Sequence, residues 1–155
     1  MRLENQAEFL RRDYRAETAF LNGYLTDANV AASYAITPTS FGRILLGVGY
    51  EHTVANYFTN TFYRIGLGYH HEFPWGITVE DLPEVYKYHY DGVFPLFGVE
   101  RKDWLIRNTL TFYKRDWHFW GFSPTFSYIY SHDISNVSLY RYTQHQFQIG
   151  VTKQF

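Results

Sequence analysis

The feature that most constrains this chain is an alternation of period two. It recurs in long segments from residue 43 to the C-terminus. Successive side chains of a strand point to opposite faces, so each residue in such a segment is assigned to one side. At the end of the chain Phe147, Ile149, Val151 and Phe155 share one side, interrupted by Lys153. Gln144, Gln146, Gln148, Gly150, Thr152 and Gln154 share the other. Earlier, Tyr63, Ile65, Leu67, Tyr69 and Phe73 (with His71) oppose Arg64, Gly66, Gly68, His70 and Glu72. Ile44, Leu46, Val48 and Tyr50 oppose Arg43, Leu45, Gly47 and Gly49. Phe122, Phe126, Tyr128 and Tyr130 oppose Ser123, Thr125, Ser127 and Ser131, with Ile129 the exception. Trp104, Ile106, Leu110 and Phe112 oppose Leu105, Arg107, Thr109, Thr111 and Tyr113, with Asn108 on the apolar side. No stretch sustains the i, i+3, i+4, i+7 spacing of an amphipathic helix.

A soluble sandwich alternates too, so three further features decide. These segments run to about ten residues, enough to cross a bilayer at a tilt, whereas soluble strands are mostly nearer five or six. Their polar sides carry Gly, Ser, Thr, Gln and isolated charges, which suits a wet lumen better than a Lys- and Glu-rich solvent surface. Aromatic residues make up 21% of the chain. They cluster beside short turns, at 71–76 and 116–122, as in the aromatic girdle of a membrane interface. The sequence therefore predicts an all-β, antiparallel, up-and-down transmembrane β-barrel, with residues 1–155 a portion of one barrel domain.

Composition narrows the functions. Fourteen basic and 15 acidic side chains give no bulk positive charge for nucleic acid. No cysteine is present, which removes disulfides, thiolate metal sites and a cysteine nucleophile. No apolar run is long enough for a transmembrane helix. The N-terminal MRLENQAEFLRRDYRAE lacks the apolar core of a secretory signal.

About eight strands are expected, near 12–25, 28–36, 42–53, 60–72, 77–90, 103–116, 121–133 and 142–155. Glu80, Asp81 and Pro83 in the fifth predict a bulge there or a start nearer Val85. Turns at 37–41, 73–76 and 117–120 are tight; connections at 54–59, 91–102 and 134–141 are longer. Short turns on one rim and longer loops on the other fit periplasmic and extracellular ends, with both termini at the periplasmic rim. An eight-stranded barrel has an interior that side chains just fill. Inner faces rich in Gly, Ser and Thr fill little, so the chain reads as the C-terminal part of a wider barrel. Lumen-lining candidates are Arg43, Arg64, His70, Glu72, Arg107, Gln144, Gln146 and Gln148.

Catalytic patterns are few. Ser131-His132-Asp133 spells a triad in order, but on a strand His132 faces away from both neighbours. His70 and Glu72 share a face, yet a zinc site takes three or four ligands. They read as a hydrogen-bonded lumen cluster with Arg64 as counter-charge. The three glutamines offer amides to a sugar or a passing peptide, or simply wet the lumen. Gly47-Val-Gly49 and Gly66-Leu-Gly68 precede no helix, so they form no phosphate loop and read as small residues easing curvature. Lys153 costs little if it lies at the interface. No cofactor and no enzymatic activity are expected.

The segment Asp91-Gly92-Val-Phe-Pro95-Leu96-Phe97-Gly98, followed by Arg101 and Asp103, resembles a loop near the end of surface lipoprotein assembly modulators (modifiers). The similarity continues through Arg115-Asp-Trp-His-Phe-Trp-Gly-Phe-Ser-Pro124, Tyr128-Ile-Tyr130, Ser135-Asn136, Leu139-Tyr140, Tyr142 and the closing Ile149-Gly-Val-Thr-Lys-Gln-Phe155. It spans roughly 85–155 and is diffuse before that. The final Phe155, with Val151, Ile149 and Phe147 at alternate positions, also resembles the terminal signal of bacterial outer-membrane barrels. The resemblance implies a periplasmic tetratricopeptide-repeat region followed by an outer-membrane barrel of more than eight strands, which helps surface lipoproteins across the outer membrane of Gram-negative bacteria. It implies outer-membrane lipid, a lipoprotein cargo and the barrel-assembly machinery as partners. This chain lacks the helical repeats and supplies fewer strands. The alternative readings are a complete eight-stranded barrel, porin-like or lipid-modifying, and a soluble aromatic-rich binding module.

Overall fold

The computed structural model describes residues 1–117 and 121–153. Eight strands form one sheet in the order of the chain, each antiparallel to the next. They are β1 (Arg2–Arg12), β2 (Gly23–Thr37), β3 (Ser40–Thr53), β4 (Asn60–Glu72), β5 (Ile77–Phe94), β6 (Val99–Lys114), β7 (Phe122–Ser135) and β8 (Tyr142–Lys153). Short 3-10 turns punctuate three connections, at Ala16–Leu21, Asn56–Phe58 and Ser138–Tyr140. The up-and-down order sets the turns after β2, β4 and β6 on one rim, together with the start of β1 and the end of β8. The connections after β1, β3, β5 and β7 form the opposite rim. Among the described residues β1 pairs only with β2 and β8 only with β7, so both are edges.

The two faces have opposite chemistry, and the expected alternation holds through β3, β4, β6, β7 and β8. On the outward face Leu46 is 55% exposed, Ile65 50% and Ile149 86%, and their neighbours Ile44, Val48, Tyr63, Leu67, Trp104 and Phe147 are exposed as well. Among the described residues no second layer of protein covers them. Isolated exposed apolar side chains are ordinary; a continuous apolar wall is not. The inward face holds the buried residues, and polar ones outnumber apolar ones: Asn60, Glu84, Asp103, Ser131 and Asp133 are among them.

Four sequence expectations are corrected. The first strand is Arg2–Arg12, not 12–25; residues 13–22 form the connection, and 23–27 belong to β2. The ladder Arg2↔Ser33 to Arg12↔Gly23 fixes this register. The fifth strand is continuous from Ile77, and its irregularity lies between His89 and Val93 rather than at Glu80–Pro83. Pro83, which has no N–H, sits where the β4 ladder skips from Gly66↔Glu84 to Tyr69↔Asp81. Residues 91–102 are mostly strand, with a turn only at 95–98, and β7 runs on to Ser135, shortening the next loop. His118, Phe119 and Trp120 of the expected aromatic girdle, and Phe155 of the expected terminal signal, lie outside the described residues, as does Gln154.

The fourth correction concerns the interior. Phe62, Tyr86 and Leu105 are buried together on the inward face, with Leu25 and Tyr88 packed against them. The inner glycines are seats for neighbouring side chains. A Cβ on Gly47 would stand 2.9 Å from Arg64 Nε, one on Gly66 3.2 Å from Glu84, and one on Gly49 inside the Phe62 ring. The interior is therefore not thinly filled. Gly49→Ala is expected to lower unfolding stability in detergent by about 1–3 kcal/mol through overpacking. Adding Phe62→Ala should make the pair of changes cost less than their sum, measured by urea titration.

Candidate functional site

Small residues on one strand let long side chains from its two neighbours meet above it. In register, Asn29, Gly47 and Arg64 form a row across β2, β3 and β4. Arg64 lies over Gly47 and places Nη2 3.0 Å from Asp27 Oδ2 on β2. Arg43 crosses β2, where the buried Ala31 leaves room, to reach Glu4 on β1 at 2.5 Å. Arg12 pairs with Glu51 across the same strand. These pairs bind strands that share no ladder.

Tyr86 centres the inner wall. Its ring lies 5.6 Å from the Arg64 guanidinium and 5.4 Å from that of Arg107, within cation–π range. Its hydroxyl donates to Glu84 Oε1 at 3.2 Å. Arg107 differs from the other inward arginines. Arg12, Arg43, Arg64, Arg101 and Arg115 each reach a carboxylate, whereas among the described residues Arg107 forms no salt bridge and lies over the Tyr86 ring.

Towards the rim of the short turns, Glu80 accepts from Tyr113 Oη at 2.8 Å and lies 2.9 Å from His70 Nδ1. His70 Nε2 is 3.6 Å from Glu72, which Arg115 grips, and Phe41 stacks on the imidazole at 4.3 Å. His70 and Glu72 do share a face, but their counter-charge is Arg115; Arg64 is committed to Asp27. Among the described residues no three His, Asp or Glu side chains are grouped to hold a metal ion. Gln144, Gln146 and Gln148 line the inward face of β8 opposite Ser131, Ile129 and Ser127. Ser131 and Asp133 are buried on the inward side, while His132 points outward and bonds Thr143 at 2.8 Å. The three are not assembled as a triad.

The second constellation lies at the opposite rim, where residues 91–103 meet two neighbouring connections. Phe97 and Gly98 both donate their N–H groups to the Phe94 carbonyl, and Gly98 has φ +65°, the left-handed region glycine favours. The Asp91 N–H bonds the Thr59 carbonyl at 2.9 Å. Gly92 rests against the 56–57 backbone, where a Cβ would stand 2.7 Å from Tyr57 N. Arg101 is held between the rings of Tyr140 (3.5 Å) and Tyr90 (4.3 Å) and grips Asp103 with Nε at 2.6 Å and Nη2 at 2.5 Å. Asn136 clasps the same hairpin, donating to Glu100 O and accepting from Lys102 N, both at 2.8 Å. Phe94 packs against Tyr57, Phe97 and Tyr140. Pro95 and Leu96 cap the turn, with Leu96 74% exposed. Sequence reasoning found Arg101 and Asp103 but missed Tyr57, Thr59 and Asn60; Thr59 and Asn60 are almost fully buried. Only knowledge of which loops are neighbours on the rim could have singled them out.

Fold and polarity together define the class: an up-and-down antiparallel wall of the membrane-barrel type, apolar outside and polar inside. The family model for surface lipoprotein assembly modifiers matches residues 1–155, the whole chain. The chain belongs to that family. The match covers the first half, where the resemblance in sequence was diffuse, and the family's name gives it a part in surface lipoprotein assembly. Neither curated proteins nor solved structures offer a match to the chain.

Asp103 is 1% exposed, so its pairing with Arg101 is the rim's most exacting contact. Arg101→Met strands a buried carboxylate and is expected to cost about 3–5 kcal/mol of stability. Changing both, Arg101→Met with Asp103→Leu, should restore most of that loss in urea titrations of the detergent-solubilised protein.

Proposed function

We propose that this chain forms part of the wall of an outer-membrane β-barrel in a Gram-negative bacterium. There it assists the passage of surface lipoproteins and performs no catalysis. The observation that carries the reading is the predominantly apolar outward face set against an inward face of paired charges and hydroxyls. Hydrocarbon tolerates the first and excludes the second, so the sheet's preferred solvent on its outside is lipid. A groove of about 390 Å³ on that face, lined by Ile77, Phe112, Trp117, Phe126 and Ile149, offers apolar surface to lipid. Lys114, whose Nζ donates to Trp75 O and Asp116, lines the same groove.

The free edges of β1 and β8 support a wider barrel. Unpaired backbone groups are costly in hydrocarbon, so the outer edges of β1 and β8 call for strand partners, which further strands of a wider barrel would supply. The small inner residues no longer argue for width, because neighbouring side chains cover them. Within the barrel, paired charges offer an incompletely folded polypeptide a path that keeps its polar groups satisfied. Among the described residues Arg107 is an inward arginine with no carboxylate in salt-bridge contact, placed to engage it. The knitted loops around Arg101 present Leu96 and Leu139 at the extracellular rim, where cargo is first released.

Insertion tests the reading. Leu46→Lys or Ile65→Lys places a charge on the lipid side and costs about 2–4 kcal/mol near the midplane. Each is expected to reduce the urea-resistant, heat-modifiable outer-membrane fraction sharply, whereas Gln146→Lys on the inward face leaves it unchanged. Wild-type chain recovered in buffer without detergent would overturn the proposal.

A further inference from the structure

We propose that the outward face of the β5–β6 hairpin, at and just beyond Trp104, binds the phosphate of an anionic lipid in the outer leaflet. The inference rests on the outer-membrane reading above, in which the rim of the longer connections is extracellular. The outward pairs Ile77↔Lys114 and Lys87↔Trp104 stand ten residues apart on one ladder. Strands tilted by about 40° rise about 2.5 Å per residue along the membrane normal, so the second pair lies about 25 Å above the first, the height of a barrel's apolar band. Trp75, exposed in the turn before Ile77, marks the lower edge of that band, and Trp104, also exposed, marks the upper.

Basic side chains gather at the upper edge. Lys87 Nζ lies 5.0 Å from the centroid of the Trp104 ring, and the next outward pair towards the tip is His89↔Lys102. All four side chains belong to one parity of the two strands and so to the outward face. Among the described residues neither Lys87 nor Lys102 forms a salt bridge. Lys114, on the same face at the other rim, is spent instead on Asp116 and the Trp75 carbonyl. Glu100, the next outward residue of β6, stands beyond Lys102 towards the hairpin tip, and Asp91 lies in the irregular stretch between His89 and Val93.

A lipid phosphate fits this arrangement. The Trp104 ring holds Lys87 at the edge of the band by a cation–π contact, and the ammonium keeps N–H donors for an oxygen. The indole N–H is a further donor, and the exposed Lys102 supplies a second charge from one step above. Below them Ile106, Val85 and Ile65 share one register row and offer hydrocarbon to the acyl chains of the same molecule. A lipid thus meets charge at its head and apolar side chains along its tail on one surface, whereas a soluble anion meets only the first.

The full chain in zwitterionic detergent is titrated with fluorescent phosphatidic acid and with phosphatidylcholine carrying the same fluorophore. A basic group near the headgroups adds about fivefold in affinity for an anionic lipid. The proposal expects phosphatidic acid to bind about tenfold tighter or more, and Lys87→Gln with Lys102→Gln to remove that preference while the protein stays heat-modifiable. Arg11→Gln removes a like charge from the outward face at the same rim, where it is paired with Asp13, and leaves the preference unchanged. Equal affinity for the two lipids, a preference that survives the double change, or one that Arg11→Gln also removes, overturns the site and leaves the membrane reading standing. Release of the bound lipid by inorganic phosphate at the same concentration overturns the lipid assignment. An unaltered chain that stays in buffer without detergent overturns the membrane reading itself.

Discussion

Everything in this structure depends on pairing backbone hydrogen bonds between neighbouring strands without losing the two-residue period. Each antiparallel ladder satisfies the main chain within the sheet, which leaves side chains free to meet two different solvents. A slip of one residue would turn Ile65 inward and Arg64 outward. The ladders from Arg2↔Ser33 to Phe122↔Lys153, shifted only at Ala35/Thr37 and His89/Val93, keep the predominantly apolar parity of the strands outward.

Given that register, the inner face solves a second problem. Arginines and carboxylates inside a wall need partners, and the adjacent strand often lacks one. Glycine and alanine on the intervening strand open a passage, so Arg64 reaches Asp27 over Gly47 and Arg43 reaches Glu4 beside Ala31. These struts brace the sheet sideways, where ladders alone would let it flex. At the far rim the same logic becomes denser: Arg101 joins two tyrosine rings and a buried carboxylate, and Asn136 fastens its hairpin to the next loop. Loops knitted this way form a fixed surface rather than three independent tips.

Much of this was legible in the sequence, unevenly. The faces of β3, β4, β7 and β8 could be read because apolar and polar residues truly alternate there. β1 could not, because Asn5 and Arg11 interrupt the outward Leu3, Ala7 and Phe9, and Leu10 falls among the inward Glu4, Gln6, Glu8 and Arg12. The stretch 91–102 read as a loop because Gly92, Pro95 and Gly98 punctuate it. Only Gly98 lies in the turn with positive φ; Gly92 is there because Tyr57 crosses it. The partnership of Arg101 with Asp103 follows from their two-residue spacing on one face. That of Arg64 with Asp27 does not, since it needs the register of three strands.

The central claim is that one parity of each strand meets lipid and the other meets the interior. Single cysteines placed in turn at positions 62–70 of β4, in vesicles carrying the protein, test it most directly. Labelling with a water-soluble maleimide should alternate: strong at 64, 66, 68 and 70, weak at 63, 65, 67 and 69. A bromolipid quenching a fluorescent label should give the opposite pattern. Uniform labelling at both parities, or quenching that ignores them, would contradict the account.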